Sequence, residues 1–179
     1  MKNSALYLAR ILRITANRLE DGAAYQWAHQ GRCNCGHLAQ TVTGLSAGDI
    51  HTVAIQSEGE WADHTAEYCE TSGLPVDNII RTILKLGIKL DELGDLEKLS
   101  APHVTRWLPE GQPYLDYRSR DDVVLYFRTW AMVVEATEAL RRNPGAEIRV
   151  HGKPFVLRER PESIDLALDE NPAAGMNAA

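Results

Sequence analysis

Apolar residues recur at helical spacing through most of the chain. Near the N-terminus, Leu8, Ile11 and Leu12 begin a stripe at intervals of three and four residues, the pattern of a helix with one buried face. Ser4–Asp21 is therefore predicted to be helical. Gly22 follows as a stop signal, because glycine readily adopts the left-handed conformation that ends helices.

The same spacing and the same boundary residues predict further helices. They cover 23–30, 37–43, 46–53, 61–69, 75–87, 102–107 and 119–141, with one or two short helices over 90–99. Pro75 suits a first helical turn, and Gly44 and Gly87 suit helix ends. Ser119 stands three residues before Asp122, the spacing of an N-terminal capping box. Gly31 to Gly36 is expected to be a turn.

The pattern changes near the C-terminus. Ile148 and Val150 alternate with polar residues, and so do Phe155 and Leu157 beyond a turn at 151–153, which predicts a β-hairpin over about 146–158. An isolated hairpin is marginally stable, so this one must pack on the helices or pair with a second copy, which makes a homodimer possible. Residues 159–179 are expected to form a short helix or extended segment and a flexible tail.

The predicted fold is therefore mainly α, a single-domain irregular helical bundle over 1–158 that includes the small C-terminal β-hairpin. The length of 179 residues suits one domain. No internal repeat at a period of 20 to 50 residues is visible.

Charge and hydropathy exclude several partners. The chain has 19 basic and 25 acidic side chains and a net charge of −6, which disfavours duplex nucleic acids and anionic membranes. No apolar run reaches the roughly 20 residues that cross a bilayer. Charged residues among the first 20 positions argue against a secretory signal, so we expect a cytoplasmic protein.

The most informative chemistry is a group of thiols and one imidazole. Cys33, Cys35 and His37 alternate along one glycine-flanked segment, and Cys69 is the third cysteine of the chain. Thiolate and imidazole are ligands for zinc and iron. Alternating donors converge if the backbone is extended or tightly turned, and Gly36 permits such a turn through positive φ. We therefore predict a metal site formed by Cys33, Cys35, Cys69 and His37.

The metal itself is undecided between zinc and an iron–sulfur cluster. Three cysteines with one histidine resemble the ligand set of the NEET-type iron–sulfur proteins, which hold a two-iron cluster within one short segment. That resemblance concerns the ligand set and not its spacing, and it implies no specific reaction here. The predicted role is structural, redox or electron transfer.

Two alternatives remain open. The first is a metal-free thiol redox enzyme or sensor, with Cys35 near a helix N-terminus beside His37 and Cys33 or Cys69 as resolving thiol. The second is a protein–protein interaction module without a catalytic site. The sequence leaves the substrate open, and with it whether the protein is an enzyme.

Several residues flank the cluster and are candidates for its outer shell or for a ligand pocket. His29 and Tyr25 lie one helical turn apart if 23–30 is helical, and Trp27 lies between them. His64 and Glu67 lie three residues apart near Cys69. Ordinary core or solvated positions are the alternative explanation for all five.

Overall fold

The computed structural model describes residues 4–27, 29, 31–50, 52 and 78–157. Their elements are α1 (Ser4–Glu20), α2 (Asn34–Thr43), α3 (Asn78–Leu84), α4 (Leu90–Lys98), α5 (Pro102–Thr105), α6 (Arg120–Arg142), β1 (Arg149–Val150) and β2 (Lys153–Pro154). Residues 47–50 are also helical. Within these ranges the fold is mainly α with one small antiparallel hairpin, as predicted. None of the described helices combines the length and apolar character needed to cross a membrane.

The core is built on the packing of α1 against α6. Leu12 and Leu19 of α1 and Phe127 of α6 are fully buried in the same hydrophobic cluster. Two ion pairs on the surface join the helices: Arg13 to Glu135 at 2.6 Å and Arg128 to Glu20 at 2.5 Å. Arg13 and Glu20 follow each other along α1, but their partners Glu135 and Arg128 come in the reverse order along α6. The two helices therefore run antiparallel.

The C-terminal hairpin packs on the second half of α6. Val150 and Phe155 are buried in a small apolar cluster with residues of that helix, and the Phe155 ring lies 4.6 Å from the Trp107 ring. His151 and Gly152 form the turn with positive φ values of 46° and 80°. The hairpin is therefore stabilised by its own helical domain.

The predicted helix ends at three glycines are confirmed. Gly22, Gly44 and Gly87 have φ values of 99°, 75° and 93°, a region that L side chains rarely adopt. The N-cap at Ser119 is also confirmed, because its hydroxyl accepts a hydrogen bond from the Asp122 amide at 3.3 Å.

The helix predicted over 23–30 differs from the structure, and the alternative left open over 90–99 is decided. Residues 23–26 are irregular rather than helical, because the Gln26 amide donates to the Arg32 carbonyl across a loop at 3.1 Å. Residues 90–98 form one helix that continues through Gly94 and ends at Leu99, whose φ is 54°. The predicted helix over 61–69, and the start of the one predicted from Pro75, lie outside the described residues.

Candidate functional site

Cys33 is the N-cap of α2. Its backbone is extended, with φ −76° and ψ −179°, and its Sγ accepts a hydrogen bond from the Gly36 amide at 3.4 Å. The first amides of a helix have no partner within the helix, so an acceptor at this position satisfies one of them. The side chain is half-buried. The helix thus begins at Asn34, three residues earlier than the sequence predicts, and the cysteine segment is its first turn and not a separate turn.

Cys35 has a different environment. It is the second helical residue of α2 and is only 7% exposed, within the main hydrophobic core. Its backbone amide donates to Glu97 Oε1 at 2.7 Å. Cys33 and Cys35 are both thiols in the structure. Because the backbone is helical from Asn34 onward, residues two apart there differ by about 200° around the axis, so the alternation used to predict converging donors does not apply.

His37 lies one turn after Cys33 on the same face of α2 and is 1% exposed. Its Nε2 lies 3.2 Å from the Ala24 carbonyl oxygen, which can only accept, so Nε2 carries the proton. Nδ1 is left with its lone pair and has no hydrogen-bond partner in the described part of the chain. Burial, and then the Arg18 charge, lower the pKa of His37 to about 4, so the ring is neutral near pH 7.

Asn34, between the two cysteines, joins α2 to the end of α4. Its Nδ2 donates to the carbonyl oxygens of Leu96 at 3.1 Å and Glu97 at 2.9 Å, and both bonds are buried. Its Oδ1 accepts from the Tyr25 hydroxyl at 2.9 Å. Asparagine is common in turns, and the sequence carries no signal that this one is buried.

Glu97 is the second residue that the sequence analysis missed. It is 3% exposed, Oε1 accepts the Cys35 amide, and Oε2 has no partner among the described residues. A signal existed: Glu97 follows Leu93 by four residues, so helical periodicity places it on the buried stripe of α4. The α2 N-terminus therefore faces two acceptors, the Glu97 carboxylate and the Cys33 sulfur.

Two glycines allow this close packing. A Cβ on Gly36 would lie 2.6 Å from the Gly31 carbonyl carbon, and a Cβ on Gly31 would lie 2.3 Å from the Ala47 carbonyl oxygen. Neither glycine has positive φ. The expected role for Gly36, a left-handed turn, is therefore wrong, and its role is close backbone approach.

The structure describes three of the five flanking candidates, Tyr25, Trp27 and His29. The Tyr25 ring stacks on His37 with centroids 6.1 Å apart, and its pKa is raised by burial and then by the charges of Glu97 and Cys33. Trp27 packs on Tyr117 at 4.7 Å, and His29 Nδ1 accepts from the Gly31 amide at 3.3 Å. His64, Glu67 and Cys69 lie outside the described residues.

A surface cleft opens beside Tyr25. Residues 22–25 form one wall and residues 118–121 the other, and its volume is about 380 Å³. Arg118 is held in place because its guanidinium lies 5.6 Å from the centroids of both Trp27 and Tyr117. Tyr25 therefore belongs both to the cleft and to the contacts around α2.

The predicted four-ligand metal site is not assembled by the described residues alone. Within 4–27, 29, 31–50, 52 and 78–157, no three His, Cys, Asp or Glu side chains are grouped so that they could hold a metal ion. Cys33 and His37 share a face, Cys35 points into the core, and Cys69 is not described. No protein-family model, curated protein or solved structure matches the chain.

Proposed function

We propose that the protein is a redox-responsive thiol protein in which Cys33 is the reacting group. The observation that carries this proposal is the position of Cys33 Sγ at the N-terminus of α2, on the Gly36 amide, with the side chain only half-buried. A helix N-terminus stabilises a thiolate relative to the neutral thiol, and the thiolate is the nucleophile. Partial exposure leaves the sulfur accessible to a small reagent.

The surroundings support helix-based activation of the thiol. His37, one turn away, has its pKa lowered to about 4 and carries no positive charge near neutral pH. The partial charge of the α2 N-terminus and the Gly36 hydrogen bond therefore stabilise the thiolate, without help from an imidazolium. The Glu97 carboxylate bonds the neighbouring Cys35 amide and opposes this effect, so we expect moderate activation.

Burial assigns different roles to the two thiols. Cys33 reacts first, and Cys35, 7% exposed, becomes accessible only after a local rearrangement. This reverses the order considered from the sequence, in which Cys35 attacks. The oxidants that fit are small disulfides and hydroperoxides, both of which accept two electrons from thiols. We assign this chemistry to the cytoplasm, where thiols are kept reduced.

Alkylation kinetics test the proposal. Wild-type protein, Cys33→Ser and Cys35→Ala are treated with iodoacetamide at pH 7, and the modified cysteine is identified by mass spectrometry. Serine also caps helices, so Cys33→Ser removes the thiol and preserves the N-cap. We expect Cys33 to react about tenfold faster than free glutathione, Cys35→Ala to retain that rate, and Cys33→Ser to lose it. Reaction of Cys33 no faster than glutathione would refute the proposal.

A second candidate function is metal binding, with zinc or an iron–sulfur cluster. The observation that favours it is the unpartnered Nδ1 lone pair of buried His37 on the same helix face as Cys33, since neutral imidazole and thiolate are both metal ligands. Cys69 would supply a further thiolate. Metal analysis and an absorption spectrum of protein purified without oxygen test this candidate. Stoichiometric metal that is lost in both Cys33→Ser and His37→Gln would favour it, and metal-free protein would reject it.

A further inference from the structure

The N-terminus of α2 is joined to the C-terminus of α4 by three buried hydrogen bonds. Asn34 Nδ2 donates to the carbonyl oxygens of Leu96 and Glu97, and the Cys35 amide donates to Glu97 Oε1. We call this set of contacts the α2–α4 junction. The Asn34 side chain thereby donates to carbonyls in the last turn of α4, and the Glu97 side chain accepts from an amide in the first turn of α2.

All three bonds start from the two residues that follow Cys33. Asn34 lies between the cysteines, and the third donor is the amide of Cys35 itself. A change in the backbone of residues 33–35 therefore moves every donor of the junction.

A bond between the two sulfurs requires such a change. A disulfide needs Cβ atoms about 3.5–4.5 Å apart. In the structure the Cys33 sulfur is held on the Gly36 amide, whereas the Cys35 side chain is packed in the core. The Cys35 side chain must leave the core and the first turn of α2 must open before the sulfurs can join.

Opening that turn affects α4 because Glu97 cannot stay where it is. Its Oε2 already has no hydrogen-bond partner among the described residues, and its side chain is 3% exposed. If the Cys35 amide withdraws, both oxygens of a buried carboxylate are unsatisfied, which is strongly unfavourable. The carboxylate must then reach water, and the last turn of α4 must move with it.

We propose that a disulfide between Cys33 and Cys35 releases the α2–α4 junction, so that the oxidation state of this pair controls the order of the last turn of α4. The proposal rests on the proposed function, because it requires Cys33 to react as a thiol. The small strained ring of such a disulfide is readily reduced, which makes the change reversible.

The oxidation is a two-electron exchange with a small disulfide. The Cys33 thiolate attacks one sulfur of the reagent, a new S–S bond forms, and the reagent's own S–S bond breaks to release one thiolate, which takes up a proton. Cys35 then loses its proton and attacks Cys33 Sγ, which releases the second thiol. The protein loses two electrons and two protons, and the reagent gains both.

Hydrogen exchange with mass spectrometry tests this proposal on the full chain. Wild-type protein and Cys69→Ser are compared before and after reaction with hydroxyethyl disulfide, and Cys35→Ala is the matched control that cannot form the Cys33–Cys35 bond. Peptide mapping locates the disulfide in each protein and shows whether Cys33 of the Cys35→Ala control carries the mixed disulfide or has paired with Cys69. We expect amides at 95–100 to exchange about tenfold faster in the oxidised protein, with the hairpin at 149–155 unchanged and with no acceleration in Cys35→Ala.

The outcomes separate the two proposals. If Cys33 forms no adduct with hydroxyethyl disulfide, the proposed function fails and the junction proposal fails with it. If Cys33 forms the mixed disulfide but no Cys33–Cys35 bond, or pairs with Cys69 instead, only the junction proposal fails. The same conclusion holds if the Cys33–Cys35 disulfide forms and exchange at 95–100 is unchanged. Should Cys69→Ser not fold, the wild-type peptide map gives the same decision.

Discussion

Acidification should destabilise this protein through His37. The ring is 1% exposed, its Nε2 donates to the Ala24 carbonyl, and burial and Arg18 lower its pKa from 6.5 to about 4. Protonation would place a cation in the core, on a ring whose Nδ1 has no acceptor among the described residues. The folded state therefore binds this proton less readily than the unfolded state.

The sign and size of the effect follow from linkage. Above pH 6.5 the imidazole is neutral in both states, and its contribution to stability is fully present. As the pH falls from 6.5 towards 4, the unfolded state binds more protons, so the free energy of unfolding decreases. The lowering of the pKa from 6.5 to about 4 corresponds to a total of about 3 kcal/mol. About 2.5 kcal/mol of this is lost by pH 4.5.

Urea unfolding at pH 7.5 and pH 4.5 measures this effect. The control is His37→Gln, in which the amide can still donate towards Ala24 but does not titrate. His103 and His151, whose pKa values burial also lowers, are present in both proteins and cancel in the comparison. We expect wild type to lose about 2.5 kcal/mol more than His37→Gln between the two pH values. Equal losses would show that His37 is not held neutral in the folded protein, and an NMR titration of its ring would then give a pKa near 6.5.

Three further predictions concern packing and surface charge. Gly36→Ala should cost about 2–4 kcal/mol of unfolding free energy, because its Cβ would lie 2.6 Å from the Gly31 carbonyl carbon. In the control Gly94→Ala the new Cβ meets nothing within 4 Å, so this variant should stabilise α4 by about 0.5–1 kcal/mol. Equal effects of the two substitutions in urea unfolding would contradict the close approach at Gly36. Asn34→Ala should cost about 2–4 kcal/mol, since the buried Glu97 carbonyl loses its donor and the Leu96 carbonyl keeps only a 3.4 Å bond from the Leu99 amide. A loss below about 1 kcal/mol would argue against the Asn34 bonds. Arg128→Ala removes an exposed ion pair with Glu20 and should lower the free energy of unfolding by less than about 1 kcal/mol. High salt should reduce that loss, because it screens the charges. A larger loss in thermal unfolding that does not depend on salt would refute this account.

Local signals in the sequence were sufficient for most helix boundaries and for the hairpin. Gly22, Gly44 and Gly87 end helices because the backbone there needs positive φ, and Ser119 caps α6 with its own hydroxyl. These properties depend on one residue and its neighbours along the chain. Alternating residues around a glycine turn determine the hairpin in the same way.

The environment of the cysteines was decided only by tertiary structure. The sequence identified Cys33, Cys35 and His37 as the informative residues, but it could not show that one thiol caps a helix, one enters the core and the imidazole is buried. The cap at Cys33 has a local partner, the Gly36 amide, but the environment of Cys35 depends on a residue far along the chain: the contact between the Cys35 amide and Glu97 spans 62 residues. The local sequence pattern determines most helix ends. The hydrogen-bond partner of a buried polar group, in contrast, is determined only when the helices pack against each other.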